Sequence, residues 1–129
     1  MYLDNTHLLI YAKIFEEIIN RIYGGIYYDI LCMRLKLPTS GTNSPPYMMV
    51  KKPSAFYESL VKEFANGMEF MAKAFLRTFI AYIIDLDPEI EIPPIDVIID
   101  SIKSGRTDVV NDFVIKVVSS NKLRRMVGY

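Results

Sequence analysis

The sequence predicts an all-α protein, a compact helical bundle of about five to six short helices with room for one short strand near residues 89–92. Three observations favour this class. Apolar residues recur at spacings of three and four along much of the chain, which is the period of an amphipathic helix. Glycines, prolines and an Asn-Gly pair divide the chain into segments of helix length. The chain has 129 residues, of which 51% are hydrophobic, which suffices for one core but not for two full-sized ones.

The first helix is expected over residues 5–23, where apolar side chains fall on one face and polar residues lie between them. Asn5 or Thr6 can supply the N-cap oxygen. Gly24-Gly25 ends this helix, because residues without Cβ adopt a left-handed conformation easily and are costly inside a helix. The inward positions are Leu8, Tyr11, Ala12, Phe15, Ile18, Ile19 and Ile22.

A second helix is expected over Ile26–Leu37, which is short and apolar nearly all round, so we predict that it is buried. From Pro38 to Pro53 the composition changes, and no helix is expected to cross this stretch because proline removes a backbone donor and restricts its predecessor. A loop of that length is usually mobile or functional. Within it, Tyr47–Val50 is expected as a short strand or, in the favoured interpretation, as a packed anchor.

A third helix opens at Ser54 and is interrupted by Asn66-Gly67, after which a fourth runs from Met68 to about Ile84. Asn66, followed three residues later by Glu69, matches a capping box. The wide stripe of Met and Phe residues on the fourth helix predicts a central core helix. Its apolar positions are Met71, Ala72, Phe75, Leu76, Phe79, Ile80 and Ile83, and those of the third helix are Phe56, Leu60, Val61 and Phe64.

Residues 85–94 are expected to form a linker. Polar and apolar residues alternate in Glu89-Ile90-Glu91-Ile92, which is the period of a short, half-buried strand. Pro94 suits the first turn of a fifth helix over Ile95–Lys103, and Gly105 ends that helix.

A sixth helix is expected to be capped by Thr107 or Asp108 and to run through Ser119, while the basic tail Asn121–Tyr129 frays or forms one turn. These elements divide the chain into a helical core domain, residues 1–86, and a C-terminal helical hairpin extension, residues 87–129. We expect the extension to be exchanged between copies or packed in an oligomer.

Charge is unevenly distributed, although the 15 basic and 15 acidic residues cancel. Residues 78–102 contain six acids and no Lys or Arg, whereas residues 103–129 contain six bases and two acids. An acidic segment beside a basic tail predicts electrostatic complementarity, within one chain or between two.

Composition also excludes several classes of function. Zero net charge excludes a polycation that binds nucleic acid by charge alone. A single cysteine, Cys32, excludes a disulfide framework within the chain and a cysteine-rich zinc site. His7 is the only histidine, so zinc and copper sites lack their usual ligands. We interpret Cys32 as a small core hydrophobe and His7 as a polar surface group.

No motif marks a catalytic, metal-binding or cofactor-binding residue, so none is predicted. Gly24-Gly25 follows a helix and lacks the pattern of a phosphate loop. The acidic cluster over residues 85–91 lacks the glycine of a calcium loop and is interpreted as a solvated strand face. Enzyme chemistry through Asp, Glu, Tyr or Lys stays open, but nothing in the sequence points to it.

We expect a cytoplasmic protein with no membrane partner. The longest charge-free window of the most hydrophobic segment, Thr78–Ile84, is far shorter than the roughly 20 residues that span a bilayer. No cleavage site of a secretory signal follows the N-terminal apolar residues. The absence of Gln and Trp and the abundance of Ile are typical of thermophilic proteins.

Residues 90–120 combine a short alternating segment, proline, a helix, a Ser-Gly-Arg-Thr turn and a second helix. This arrangement resembles the ribbon-helix-helix family of dimeric DNA-binding regulators, which implies strands paired across a dimer and inserted into the major groove. The candidate nucleic-acid residues are Arg106, Thr107, Asn111, Lys122, Arg124 and Arg125. DNA is nevertheless the less favoured partner, because Glu89 and Glu91 on the reading strand would be repelled by phosphates.

The earlier part of the chain has Gly24 or Gly25 ahead of an apolar helix, a variable hinge, Pro53-Ser54-Ala55-Phe56, and then a long helix from Met68. Leu60, Phe64 and Gly67 stand between the last two features. Residues 20–85 thereby resemble the archaeal Nitrosopumilus output domain five family. The resemblance implies an archaeal interaction or output module and supplies no catalytic residue.

Our prediction of function rests on the large number of apolar side chains. Six short helices with this composition carry more apolar surface than a small domain hides easily. We therefore expect a non-catalytic protein-protein interaction module that self-associates, with a dimer favoured and a further protein partner whose identity the sequence does not name.

Overall fold

The computed structural model describes residues 3–129, and in that range the protein is helical throughout and contains no strand. The all-α class is confirmed, with two more α-helices than the six predicted. The elements are α1 (Asn5–Tyr23), α2 (Tyr27–Leu35), α3 (Pro45–Lys51), α4 (Pro53–Ser59), a π-helical segment (Leu60–Phe64), α5 (Glu69–Leu86), α6 (Ile95–Ser104), α7 (Thr107–Ser119) and α8 (Asn121–Met126).

The N-terminus of α1 is capped by Asp4, so the expected cap at Asn5 or Thr6 is wrong by one or two residues. The Asp4 carboxylate accepts a hydrogen bond of 2.9 Å from the His7 amide, and the Asp4 amide donates to His7 Nδ1 at 3.4 Å. This is a reciprocal capping box in which His7 replaces the usual Glu or Gln. His7 therefore has a local structural role as well as partial exposure.

The sequence predicted that the second helix is buried, but only one face of α2 is buried. Tyr28, Leu31, Cys32 and Leu35 face the core, but the opposite stripe of α2 is in contact with solvent. A short helix at the edge of a bundle has a core on one side only, so the second apolar stripe stays outside. Burial raises the pKa of the Cys32 thiol to about 11, which keeps it protonated and inert at neutral pH.

The Pro-rich stretch contains a helix, contrary to prediction. Pro45 and Pro46 occupy the first turn of α3, where a missing N–H has no helical partner to lose and a fixed φ favours the helix. Met49 and Val50 are buried, and the Tyr11 hydroxyl donates to the Met49 sulfur over 3.1 Å. Residues 47–50 therefore act as the packed anchor that we favoured, on a helix and not on a loop.

The third predicted helix ends in a π-helical segment, with the Ala65 amide bonded to the Leu60 carbonyl over 2.8 Å. Asn66 then adopts a left-handed conformation with φ 52°, so it cannot cap α5 as predicted. Met68 is the N-cap residue of α5 and provides no side-chain bond. The Glu69 carboxylate binds other partners, described below.

The strand expected at residues 89–92 does not form. Ile90 and Ile92 are half-buried and pack on the core. This packing explains the alternation of polar and apolar residues, although no second strand among residues 3–129 pairs with this segment.

Downstream, α6 and α7 form as predicted, with α6 ending one residue later, at Ser104. The expected cap of α7 at Thr107 or Asp108 is wrong, because Arg106 is the N-cap residue and provides no side-chain bond. The tail forms α8, capped by the Ser120 hydroxyl, which accepts from the Leu123 amide at 3.2 Å.

A single cluster of buried side chains draws on all eight α-helices. At its centre the rings of Phe15 on α1 and Phe79 on α5 lie 4.9 Å apart, and both side chains are almost fully buried. This core contains residues from both segments of the predicted division, 1–86 and 87–129. The domain boundary at residue 86 stays a prediction. The accessible surface of 6709 Å² is close to the roughly 7,000 Å² typical of a compact monomer of this mass.

Within residues 3–129, none of the helices combines the length and apolar character that crossing a bilayer requires.

Truncating a core side chain of α8 tests whether this helix is part of the cooperative fold. Leu123 is completely buried, so Leu123→Ala should lower the free energy of unfolding by about 2–5 kcal/mol. Lys122→Ala, on the exposed side of the same helix, should change it by less than about 0.5 kcal/mol. Urea unfolding monitored by circular dichroism measures both, and equal effects of the two substitutions would contradict the packing of α8.

Candidate functional site

Two ion pairs join α5 and α6, which run antiparallel. Glu69 Oε2 lies 2.7 Å from Lys103 Nζ, and Arg77 Nη2 lies 2.7 Å from Asp96 Oδ1. Between these pairs, Lys73 and Asp100 line an open groove of about 640 Å³. Each pair is exposed, so each is expected to contribute little to stability, and together they align the two helices.

Tyr57 extends the Glu69–Lys103 pair to α4, because its hydroxyl donates to Glu69 Oε2 over 2.8 Å. Lys103, followed by Tyr57, holds the pKa of Glu69 below its ordinary value, and Glu69 raises the pKa of Lys103. Burial, then the Glu69 hydrogen bond, raises the pKa of Tyr57. All three groups are held in their usual charge states at neutral pH, which is typical of a structural tie and not of an acid–base pair.

The other carboxylate with a shifted pKa, Glu16, lies in a separate groove beside Tyr28 and Thr39. Burial, followed by the charge of Asp29, raises its pKa. Within the described range, no three His, Cys, Asp or Glu side chains converge closely enough to hold a metal ion.

The residues predicted to contact nucleic acid form two groups, one at the start of α7 and one after its end, and α7 itself is about 20 Å long. Arg106, Thr107 and Asn111 lie at its N-terminal end, where Arg106 pairs with Asp108 at 3.8 Å. Asn111 Oδ1 is buried, without a hydrogen-bond donor among residues 3–129. The second group stands on α8 or beside it: Lys122, Arg124 and Arg125.

The acidic segment and the basic tail meet within one chain. The Ser120 hydroxyl donates to Asp87 Oδ2 over 2.7 Å. Lys122 and Arg125 line the same surface groove as Asp87 and Glu89. Basic and acidic residues of the two segments therefore lie on one groove of the same chain.

The outer stripe of α2 is a clear candidate for a contact surface. Ile26, the N-cap residue of α2, is 69% exposed, and Ile30 and Met33 on the helix are 36% and 72% exposed. Their spacings of four and three place them on one side of the helix. Sequence reasoning missed this surface because both faces of α2 are apolar, and hydrophobicity alone does not tell which face the core takes.

An aromatic cluster connects α2 to the start of α5. The Tyr23 ring stacks on Tyr27 at 4.7 Å and on Phe75 at 5.9 Å. Met71 lies one helical turn before Phe75 on the same side of α5, and Met68 lies a further turn back. Both methionines are exposed, as is Tyr23. We name these side chains together the apolar surface: Tyr23, Ile26, Ile30, Met33, Met68 and Met71.

The rim of the apolar surface is polar and fixed. Arg34 Nη2 donates to the Phe64 carbonyl over 3.0 Å, and its guanidinium lies 5.2 Å above the Phe64 ring. Lys36 Nζ lies 3.5 Å from Glu63 Oε2. Both contacts join the C-terminal end of α2 to the π-helical segment.

The apolar surface is comparable in size to the largest apolar patches of typical monomers. From the exposed fractions of its six side chains we obtain about 600 Å², taking about 200 Å² for a large side chain that is fully exposed. That is the upper end of the roughly 300–600 Å² that the largest patch of a typical monomer reaches, and patches of this size are often functional.

The lowered pKa of Glu69 predicts a pH dependence. The ordinary value is 4.5, and a carboxylate whose pKa falls on folding stabilises the protein above that value. Its contribution is lost as the pH falls from 4.5 through the lower folded-state pKa. Titration of the Glu69 side chain by carbon NMR should give a midpoint below 4.5. In Lys103→Met the midpoint should rise, whereas Lys116→Met on α7 should leave it unchanged. Equal midpoints in the wild type and Lys103→Met would contradict the ion pair.

No family model, no curated protein and no solved structure matches this chain. The resemblances to an archaeal output domain and to a ribbon-helix-helix unit therefore stay predictions.

Proposed function

We propose that this protein is a non-catalytic interaction module that self-associates, and that two copies meet through the apolar surface. The observation that carries the proposal is the outer stripe of α2, where three adjacent large apolar side chains face solvent. Isolated exposed apolar residues are normal, but a contiguous patch marks a site of contact.

The size of the apolar surface fits a modest dimer. Two copies would bury about 1,200 Å² in total, which is the lower limit of the range for stable complexes. Part of the gain from burying that area is offset by lost rotational and translational freedom. We therefore expect a dissociation constant of about 1–10 µM.

Charge favours a second copy as the occupant. The chain has no net charge, so two copies do not repel each other over a distance. The rim carries both signs, with Asp29 on one side of the stripe and Arg34 on the other. A twofold interface brings the same surface of both copies together, and a rim of mixed sign accommodates that arrangement better than a rim of one sign.

Regulation of transcription through DNA remains the alternative from the sequence. The basic residues concerned are divided between the two ends of α7 and lie beside acidic groups, which does not favour a continuous phosphate contact. Gel shifts at low salt distinguish the two functions, since binding to duplex DNA that weakens steeply with salt would favour the alternative.

Replacing an exposed side chain of the stripe by a charge tests the proposal. Met33→Asp should weaken the dimer at least about tenfold, because an unpaired carboxylate would be desolvated in the interface. Met33 is 72% exposed, so the monomer should fold normally, which circular dichroism checks. Analytical ultracentrifugation measures the dissociation constant.

The matched control is Val97→Asp on α6, which also places a carboxylate at an exposed apolar position but outside the apolar surface. It should leave the dissociation constant unchanged. Wild-type protein that stays monomeric at about 200 µM, or an equal loss in both variants, would overturn the proposal.

A further inference from the structure

We propose that the three methionines of the apolar surface form a redox-modification site, at which oxidation to methionine sulfoxide by a peroxide separates the two copies. This inference rests on the proposed function, since it concerns the regulation of the same surface. It assigns a chemical role to Met33, Met68 and Met71 beyond their contribution to apolar area.

The distribution of methionines carries the inference. Among residues 3–129, the exposed methionines are Met33, Met68 and Met71, and all three belong to the apolar surface. Met48 and Met126 are half-buried and pack against the core. The exposed large apolar side chains elsewhere are not methionine: Leu9, Phe70, Val97 and Tyr129.

Met49 shows how different a core methionine is in this fold. Its side chain is fully buried, and its sulfur accepts the hydrogen bond from the Tyr11 hydroxyl. Contact with a peroxide requires access, which burial in the core denies to Met49. The three surface methionines are exposed in the single chain, so a peroxide reaches them in each monomer that a dimer of micromolar affinity releases. The chain therefore contains an internal reference that should stay reduced under conditions that oxidise the apolar surface.

The chemical step is a two-electron oxidation. A lone pair of the thioether sulfur attacks one oxygen of hydrogen peroxide, an S–O bond forms and the O–O bond breaks. The proton on the transferred oxygen passes to the departing hydroxide, which leaves as water. The sulfur is oxidised and the peroxide is reduced. The product is polar and chiral where the thioether was apolar and flexible.

Sulfoxide formation should act strongly on this particular interface. Half of the six side chains of the apolar surface are methionines, and each new sulfoxide oxygen would lose its water without gaining a donor from an apolar partner. Thioethers also adapt to an irregular partner surface, and the sulfoxide loses that property. Methionine sulfoxide reductases reverse the step, so the dimer should recover.

The experiment combines peptide mapping with ultracentrifugation on the full chain treated with hydrogen peroxide. Mass spectrometry should find sulfoxide at Met33, Met68 and Met71 and none at Met49. The dissociation constant should rise at least about tenfold and return after treatment with sulfoxide reductase. The variant with Met33→Leu, Met68→Leu and Met71→Leu keeps the apolar volume, so it should dimerise and stay dimeric after peroxide.

The outcomes separate this inference from the proposed function. Untreated protein that is monomeric refutes both. A dimer that persists with all three methionines oxidised overturns the redox site and leaves the self-association intact. The redox site is likewise overturned if these methionines resist the peroxide as well as Met49 does, or if the leucine variant also dissociates after treatment.

Discussion

The packing of α1 against α5 is the interaction on which the rest of the structure depends. These are the two longest helices, and the Phe15 and Phe79 rings hold them together at the centre of the core. Phe15 also meets the edge of Tyr28 at 6.1 Å, which fixes the inward face of α2. Since one face of α2 packs on the core through Tyr28, the opposite face, with Ile30 and Met33, stays exposed to solvent.

The elements predicted correctly are those whose apolar residues occupy one face. In α1, α6 and α7 a single stripe meets the core and glycine or proline marks an end, so local pattern and tertiary packing agree. Most of the failed predictions depended on information that is not local, such as the neighbours that decide the inward face of α2. The helix α3 is the exception, because Pro45 and Pro46 at its first turn are a local signal that we interpreted as excluding a helix. The contacts of Glu69 with Tyr57 and Lys103 span many residues, so neither periodicity nor composition indicates them.

The electrostatics and the apolar surface have different roles. Opposite charges meet within the chain between α5 and α6, and the Ser120 hydroxyl joins Asp87 to the start of α8. These contacts organise the monomer and leave little net charge for attraction between copies. The apolar surface extends from the end of α1 over α2 to the start of α5, where Met68 and Met71 flank Glu69 in the sequence. The ion pairs thus align the helices, while the apolar side chains stay exposed to solvent.

The contact of α8 with α1 has a consequence for the speed of folding. Leu123 enters the core beside helices formed nearly at the opposite end of the described sequence. Closing a loop of about 100 residues carries an entropic cost that the contact repays only once it has formed. Bundles built from neighbouring helices avoid that delay and fold in microseconds to milliseconds. The contact between α1 and α8 should therefore make this protein slower to fold than such bundles.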